Sequence, residues 1–212
     1  MLRDLVEHAN QYFIRQKKEW TEILIDFETR NQYQVLDEAQ NEVGTISEVS
    51  SGIGGFMKRN VFGSHRSLDV RVHNADGSAV VRLARPFFWL FSSLDVLAEG
   101  GAKLGTVERR FGLIRKKYDL LDEHGHCFAK ISSPLWRLWT FPAEHEREGG
   151  TAEVSKKWGG ALREIFADAD TFRVAIESGT WTATERWVLF AAAISIDFDF
   201  FENNQGSDGL LD

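Results

Sequence analysis

Cysteine is almost missing from this chain. Cys127 stands alone in 212 residues, so no internal disulfide can form, and a reducing compartment is expected. Proline is nearly as scarce, with three in all, and no Pro-rich, Ser-rich or low-complexity linker breaks the sequence. One domain over residues 1–202 is therefore predicted, followed by a disordered acidic tail over 203–212. The N-terminal MLRDLVEHANQYF has acidic residues where a secretory signal needs an unbroken apolar stretch. An excess of positive charge is also lacking. The formal charge of −7 argues against general adhesion to nucleic acid, and an anionic membrane would need a local basic patch. The expected location is the cytoplasm or the cytoplasmic face of a membrane.

A long hydrophobic run is missing too. The most apolar stretch, RWVLFAAAISIDFDFFE (Arg186–Glu202), has an uncharged core of ten residues, Trp187–Ile196. As a helix that core covers about 15 Å, roughly half of what a bilayer requires. Extending it places Asp197 and Asp199 inside the span, at roughly 2.5–3.5 kcal/mol each near the bilayer centre. Within the core no polar stripe interrupts the apolar surface, and a soluble helix that is apolar all round is buried all round. Trp187, Leu189, Phe190, Ala192, Ala193, Ile194 and Ile196 are thus predicted to form a central core helix. Asp197, Asp199 and Glu202 are read as marking its exit.

What is abundant is short alternation between turns. In LDVRVHN, Leu68, Val70 and Val72 share one face. Ala75-Asp76-Gly77 makes a turn, and SAVVRLA then places Ala79, Val81 and Leu83 on one face, a hairpin signature. The pattern recurs at Val43–Val49, Leu94–Glu99, Lys103–Arg109, Tyr118–Asp122, Cys127–Ile131 and Thr171–Glu177. Weaker candidates at Gln11–Lys17, Gln32–Asp37, Trp136–Pro142 and Thr151–Lys156 bring the expected number to about twelve. Evenly spaced hairpins suit a barrel or a sandwich, and the apolar helix favours a closed antiparallel barrel wrapped around it. Helical signals elsewhere are confined to Leu2–Asn10, Glu19–Phe27 and a turn at Gly160–Phe166.

Four segments then carry a family resemblance: FETRNQYQV (Phe27–Val35), the pair Arg85-Pro86, SKKWGGALREIFADADTF (Ser155–Phe172) and ISIDFDFFE (Ile194–Glu202). In order and spacing they resemble the phospholipid scramblase family from about Tyr12 to Glu202. The resemblance implies a mainly β, tubby-like fold, a closed antiparallel twelve-stranded barrel around a buried hydrophobic C-terminal helix. It also implies a peripheral phospholipid-binding protein promoting calcium-linked, ATP-independent phospholipid scrambling, and no enzyme. Animal members carry a Pro-rich N-terminal region and palmitoylated cysteines, which this sequence lacks. Phe87–Phe91 (FFWLF) stands where the main cysteine cluster would follow Arg85-Pro86, so membrane contact falls to side chains. The family's calcium segment aligns with Ala167–Gly179. Only Asp168 and Asp170 keep ligand positions of an EF-hand loop, so they are weak Ca2+ candidates, equally readable as turn residues.

Antiparallel strands send alternate connections to the same end. One set (Glu38–Asn41, Asn74–Gly77, Glu99–Gly101, Glu123–Gly125) is short and mostly acidic. The other spans Gly52–Arg66, Arg85–Phe91, Arg110–Lys117 and Ser132–Trp136. It gathers Phe56, Phe62, Phe87, Phe88, Trp89, Phe91, Phe111, Leu113, Ile114, Leu135 and Trp136 with Lys58, Arg59, Arg85, Arg110, Arg115, Lys116 and Lys117. Aromatics flanked by cations suit a membrane interface, so an anionic phospholipid surface is the expected partner. The alternatives are a protein partner docking on the same end, or lipid sensing without translocation. EHGHC (Glu123–Cys127) straddles a turn and is read as structural, and SGIGGF lacks the context of a dinucleotide fingerprint. No Ser, Cys or carboxylate stands beside an identifiable base, so no catalytic group is expected.

Overall fold

The computed structural model describes residues 1–16, 32–49, 67–86, 92–137, 139–147, 149–156 and 171–200. Helix α1 (Leu2–His8) leads into twelve strands: β1 (Gln11–Gln16), β2 (Gln32–Leu36), β3 (Glu42–Glu48), β4 (Leu68–Asn74), β5 (Ala79–Arg85) and β6 (Ser93–Ala98), then β7 (Lys103–Arg110), β8 (Arg115–Asp122), β9 (Cys127–Pro134), β10 (Thr140–His145), β11 (Thr151–Ser155) and β12 (Thr171–Ser178). Helix α2 (Ala183–Phe200) follows. Each strand pairs antiparallel with its sequence neighbours, and β1 pairs with β12, so the sheet closes into a barrel. Closure leaves no edge open to pairing with another chain. The expected helix at Glu19–Phe27 and the expected turn at Gly160–Phe166 lie outside the described residues.

Strand spacing follows from a repeated turn. Gly77, Gly101 and Gly125 have φ of +83°, +82° and +83°, and Gln40 fills the same left-handed slot at 65°. The amides of Gly77, Gly101 and Gly125 each donate to the carbonyl three residues back, at Asn74, Ala98 and Asp122. Each turn adjoins a register shift, as at Val72/His73, Val96/Leu97 and Leu120/Leu121. This is the three-residue hairpin loop with a glycine bulge. Boundaries differ from expectation most at β10, which begins at Thr140 and not at Trp136. Trp136 falls instead in the β9–β10 turn, where the Arg137 amide donates to the Pro134 carbonyl at 3.0 Å.

Helix α2 fills the barrel. Its start is set by a reciprocal cap, Thr182-Ala183-Thr184-Glu185. The Thr182 amide donates to Glu185 Oε2 at 2.8 Å, and the Glu185 amide donates to Thr182 Oγ1 at 3.3 Å; this is a capping box. From Trp187 to Asp199 every residue is buried. Phe190 packs its ring against Tyr12 and Trp187 at centroid distances of 6.0 and 5.4 Å. Glycine at 105 lets α2 approach β7, because a Cβ there would collide with the Val188 side chain and the Leu121 carbonyl. Helix α1 plugs the end where α2 enters: Leu2 and Val6 are fully buried, Trp187 Nε1 donates to Glu7 Oε1 at 3.0 Å, and Arg186 Nη1 donates to the Ala9 carbonyl at 2.8 Å.

No helix among the described residues is long and apolar enough to cross a membrane. A core helix makes a specific demand on mutants. Phe190→Ala should lower the unfolding free energy by about 3–5 kcal/mol, read from the midpoint of urea denaturation. Ala192→Asp, which buries an unpaired carboxylate, should abolish the cooperative transition altogether.

Candidate functional site

The connections β5–β6, β7–β8 and β9–β10 open at the end of the barrel where α2 finishes, opposite the α1 plug. Deep in the barrel, inward positions are apolar, as at Leu83, Val107 and Leu120. One inward step nearer this end they turn polar, because side chains two apart on a strand share a face. Val81 and Leu83 are followed by Arg85, Val107 by Arg109, and Leu120 and Tyr118 by Lys116. The barrel therefore has a charged mouth.

The two helix aspartates sit inside that mouth. Both are buried, which corrects the expectation that they mark an exit. Their wide angular separation on the helix sends them to opposite walls. Asp197 Oδ2 accepts from the Tyr33 hydroxyl at 2.6 Å, and Lys156 Nζ lies 3.7 Å from its Oδ1. Asp199 accepts from Arg85 Nη1 at 3.2 Å and from the Tyr118 hydroxyl at 2.8 Å, with Arg109 Nη1 at 3.8 Å. Burial, and after it the Asp199 charge, raises the Tyr118 phenol well above its ordinary range, so it stays a donor. The cations also lie near the C-terminal end of α2, where the helix dipole favours positive charge.

Arg85 and Lys116 were expected at the membrane-facing surface, and the structure corrects both. Arg85 is buried against Asp199 and lies over the Phe198 ring at 5.9 Å. Lys116 is buried, with Nζ 4.9 Å from the Phe141 centroid and 4.7 Å from that of Phe200. The physical reason is strand parity, since each continues an inward series. Arg110, Arg115 and Lys117 are exposed. Arg110 is held by Asp119 at 2.7 Å and Glu108 at 2.9 Å, and Arg115 Nη1 donates to Ser132 Oγ at 2.9 Å.

Around the mouth stands an apolar rim. Phe111, Leu113 and Ile114 in the β7–β8 turn are 70%, 80% and 61% exposed, and Trp136 in the β9–β10 turn is 75% exposed beside the exposed Leu135. The two turns are tied together, the Leu135 amide donating to the Ile114 carbonyl at 3.1 Å. Phe56, Lys58, Arg59, Phe62, Phe87, Phe88, Trp89 and Phe91 lie outside the described residues, as do the calcium candidates Asp168 and Asp170. Among the described residues no group of three or more His, Cys, Asp or Glu side chains could hold a metal ion. His124 and His126 belong to a hairpin turn, where Asp122 Oδ1 accepts from both of their amides.

An edgeless antiparallel barrel with a helix as its core, polar at one mouth and apolar at that rim, defines the class. The family model described as Scramblase matches residues 2–203, and the chain belongs to that family. Among its relatives, phospholipid scramblase 2 of Bos taurus is 26% identical over 96% of this chain and 72% of its own length. A phospholipid scramblase family protein of Schizosaccharomyces pombe is 24% identical over 93% of this chain, which spans 61% of that protein. Altered inheritance rate of mitochondria protein 25 of Saccharomyces cerevisiae is 24% identical over 92% and 72%. A solved protein of Arabidopsis thaliana superposes with a TM-score of 0.52 at 11% identity, covering 92% of this chain and 93% of that one, and so shares the fold.

The paired aspartate predicts a stability effect. Asp199→Ala leaves the Arg85 guanidinium buried beside a missing carboxylate and should cost about 3–5 kcal/mol in urea denaturation. Adding Arg85→Met to that variant should recover part of the loss.

Proposed function

We propose that this chain is a peripheral phospholipid-binding barrel that docks end-on against an anionic membrane on its cytoplasmic face. The observation that carries the reading is the exposed rim of Phe111, Leu113, Ile114 and Trp136. Large apolar side chains clustered on two joined turns mark an interaction surface. Arg115, Lys117 and Arg137 are exposed on the same turns and strand ends, although the molecule as a whole is acidic. Aromatic and aliphatic tips beside cations match the boundary between headgroups and acyl chains, where each cation near an anionic leaflet adds about 1 kcal/mol. The opposite end carries Asp37, Glu38, Asp76, Glu99, Asp122 and Glu123 in its turns, so the molecule has one end suited to an anionic surface and one repelled by it.

The relatives named phospholipid scramblases support a further step, that this chain promotes phospholipid movement between leaflets. Our reading adds that the movement needs no ATP and that Asp168 and Asp170 are weak Ca2+ ligands. Helix α2 fills the barrel, so lipid would have to move along the rim and not through the lumen. The same rim offers a protein partner as the alternative occupant, and the test separates the two.

Wild-type protein should sediment with phosphatidylserine-containing vesicles, less well as salt rises, and not with pure phosphatidylcholine. Ile114→Asp with Trp136→Asp should abolish sedimentation while leaving the melting transition in place. Arg115→Gln with Lys117→Gln should weaken it by about tenfold or more. Dithionite quenching of labelled lipid in reconstituted vesicles, with and without calcium, would then distinguish translocation from binding alone. Sedimentation that ignores the rim variants would favour the protein partner.

A further inference from the structure

Lys116 is a cation buried with no carboxylate beside it among the described residues. Its hydrogen-bond partner is the Arg137 carbonyl at the long distance of 3.5 Å, and otherwise it faces the Phe141 and Phe200 rings. Arg109 lies over the same Phe200 ring at 5.1 Å, while its nearest carboxylate oxygen, on Asp199, is 3.8 Å away. That carboxylate already accepts from Arg85 and Tyr118 at shorter range. Two cationic heads thus gather about one ring with more positive charge than Asp199 answers.

A hydroxyl group completes the wall. Ser92 is buried, and its Oγ has no hydrogen-bond partner. The Arg109 amide donates to the Ser92 carbonyl at 2.9 Å, which places the two residues opposite each other in the continuation of the β6–β7 ladder. Residues directly opposite in an antiparallel ladder point their side chains to the same face. Buried hydroxyls are normally satisfied, and the Ser92 Oγ, on the face it shares with Arg109, can still donate to an acceptor. Arg109 keeps its side chain 35% exposed, which leaves that guanidinium reachable from solvent.

We infer that Lys116, Arg109 and Ser92 form a phosphate-binding site in the barrel mouth, and that its ligand is the phosphate of a phospholipid headgroup. The site lies on the strands that carry the rim, with Arg115 and Lys117 flanking Lys116 in sequence. A barrel docked by that rim holds the mouth at the headgroup layer, so this assignment of a lipid source rests on the end-on reading proposed above. A phosphate supplies the charge that Lys116 and Arg109 lack and the acceptor that Ser92 lacks. Burial holds the Lys116 ammonium below its ordinary range. A bound anion restores it, so binding takes up protons and weakens as pH rises in the alkaline range.

The test is calorimetric titration of the full chain with dihexanoylphosphatidylserine below its micelle concentration, and separately with inorganic phosphate. The soluble lipid should bind. Lys116→Met should weaken that binding by about tenfold or more, and Ser92→Ala by about threefold. Lys116→Arg should retain binding and lose its alkaline pH dependence. Lys116→Met removes a buried charge that has no partner carboxylate, so its melting temperature should match or exceed that of the wild type; a lower one with a lost transition would shift the test to Ser92→Ala. Binding of inorganic phosphate without the lipid would overturn the lipid source. No binding of either probe, or unchanged affinity in Lys116→Met, would overturn the site. Vesicle sedimentation separates the two proposals. Sedimentation with no soluble-lipid binding leaves docking intact and removes the site, whereas soluble-lipid binding without sedimentation keeps the site and removes docking.

Discussion

A sheet that closes on itself satisfies its backbone hydrogen bonds but leaves an interior to be filled. With twelve strands that interior is wider than side chains alone can pack, and α2 supplies the missing volume. Much else follows from this constraint. The helix must be apolar on every side because strands surround it. A strand glycine must appear where the helix comes closest, as Gly105 does. The end where α2 enters needs a lid, which Leu2 and Val6 of α1 provide.

The other end, where α2 finishes, is built differently among the described residues. There the interior changes chemistry within one inward step of each strand. Asp197 and Asp199 take opposite walls, each answered by a phenol and at least one cation. Such pairing offsets the desolvation of buried charge without adding much net stability. Its effect is on position: two acids that need different partners on different strands fix both the rotation of α2 and its depth. The same polar mouth sits inside a rim of exposed apolar side chains, so one end of the molecule combines anchoring groups outside with charge inside.

Much of this was legible in the residues. Alternation and turn glycines located the strands, because a hairpin imposes both locally. The all-round apolar character of Trp187–Ile196 pointed to a filled barrel, because only complete burial tolerates it. The rim turns were legible from strand parity. Parity also held the information on Arg85 and Lys116, which continue the inward series Val81–Leu83 and Leu120–Tyr118, but their charge argued for the surface and was given more weight. The partners of Asp197 and Asp199 were beyond reach, since Tyr33, Arg85 and Tyr118 are far away in sequence and converge only when the barrel closes. Unpartnered Ser92 Oγ leaves no trace in the sequence at all.

The order of elements along the chain has a consequence for biosynthesis. Strand β1 pairs with β12, and the helix that fills the interior comes after both. A growing chain can zip hairpins together as they emerge, yet it has no core to close upon until Ala183–Phe200 has been made. Until then the inward faces of the strands stand open, and β1 lacks one neighbour until β12 emerges. Such a chain combines late closure with long-range pairing, the circumstance in which folding is slow and nascent surfaces are most exposed to misassociation. Among the described elements, the last one translated is the one on which the others wait.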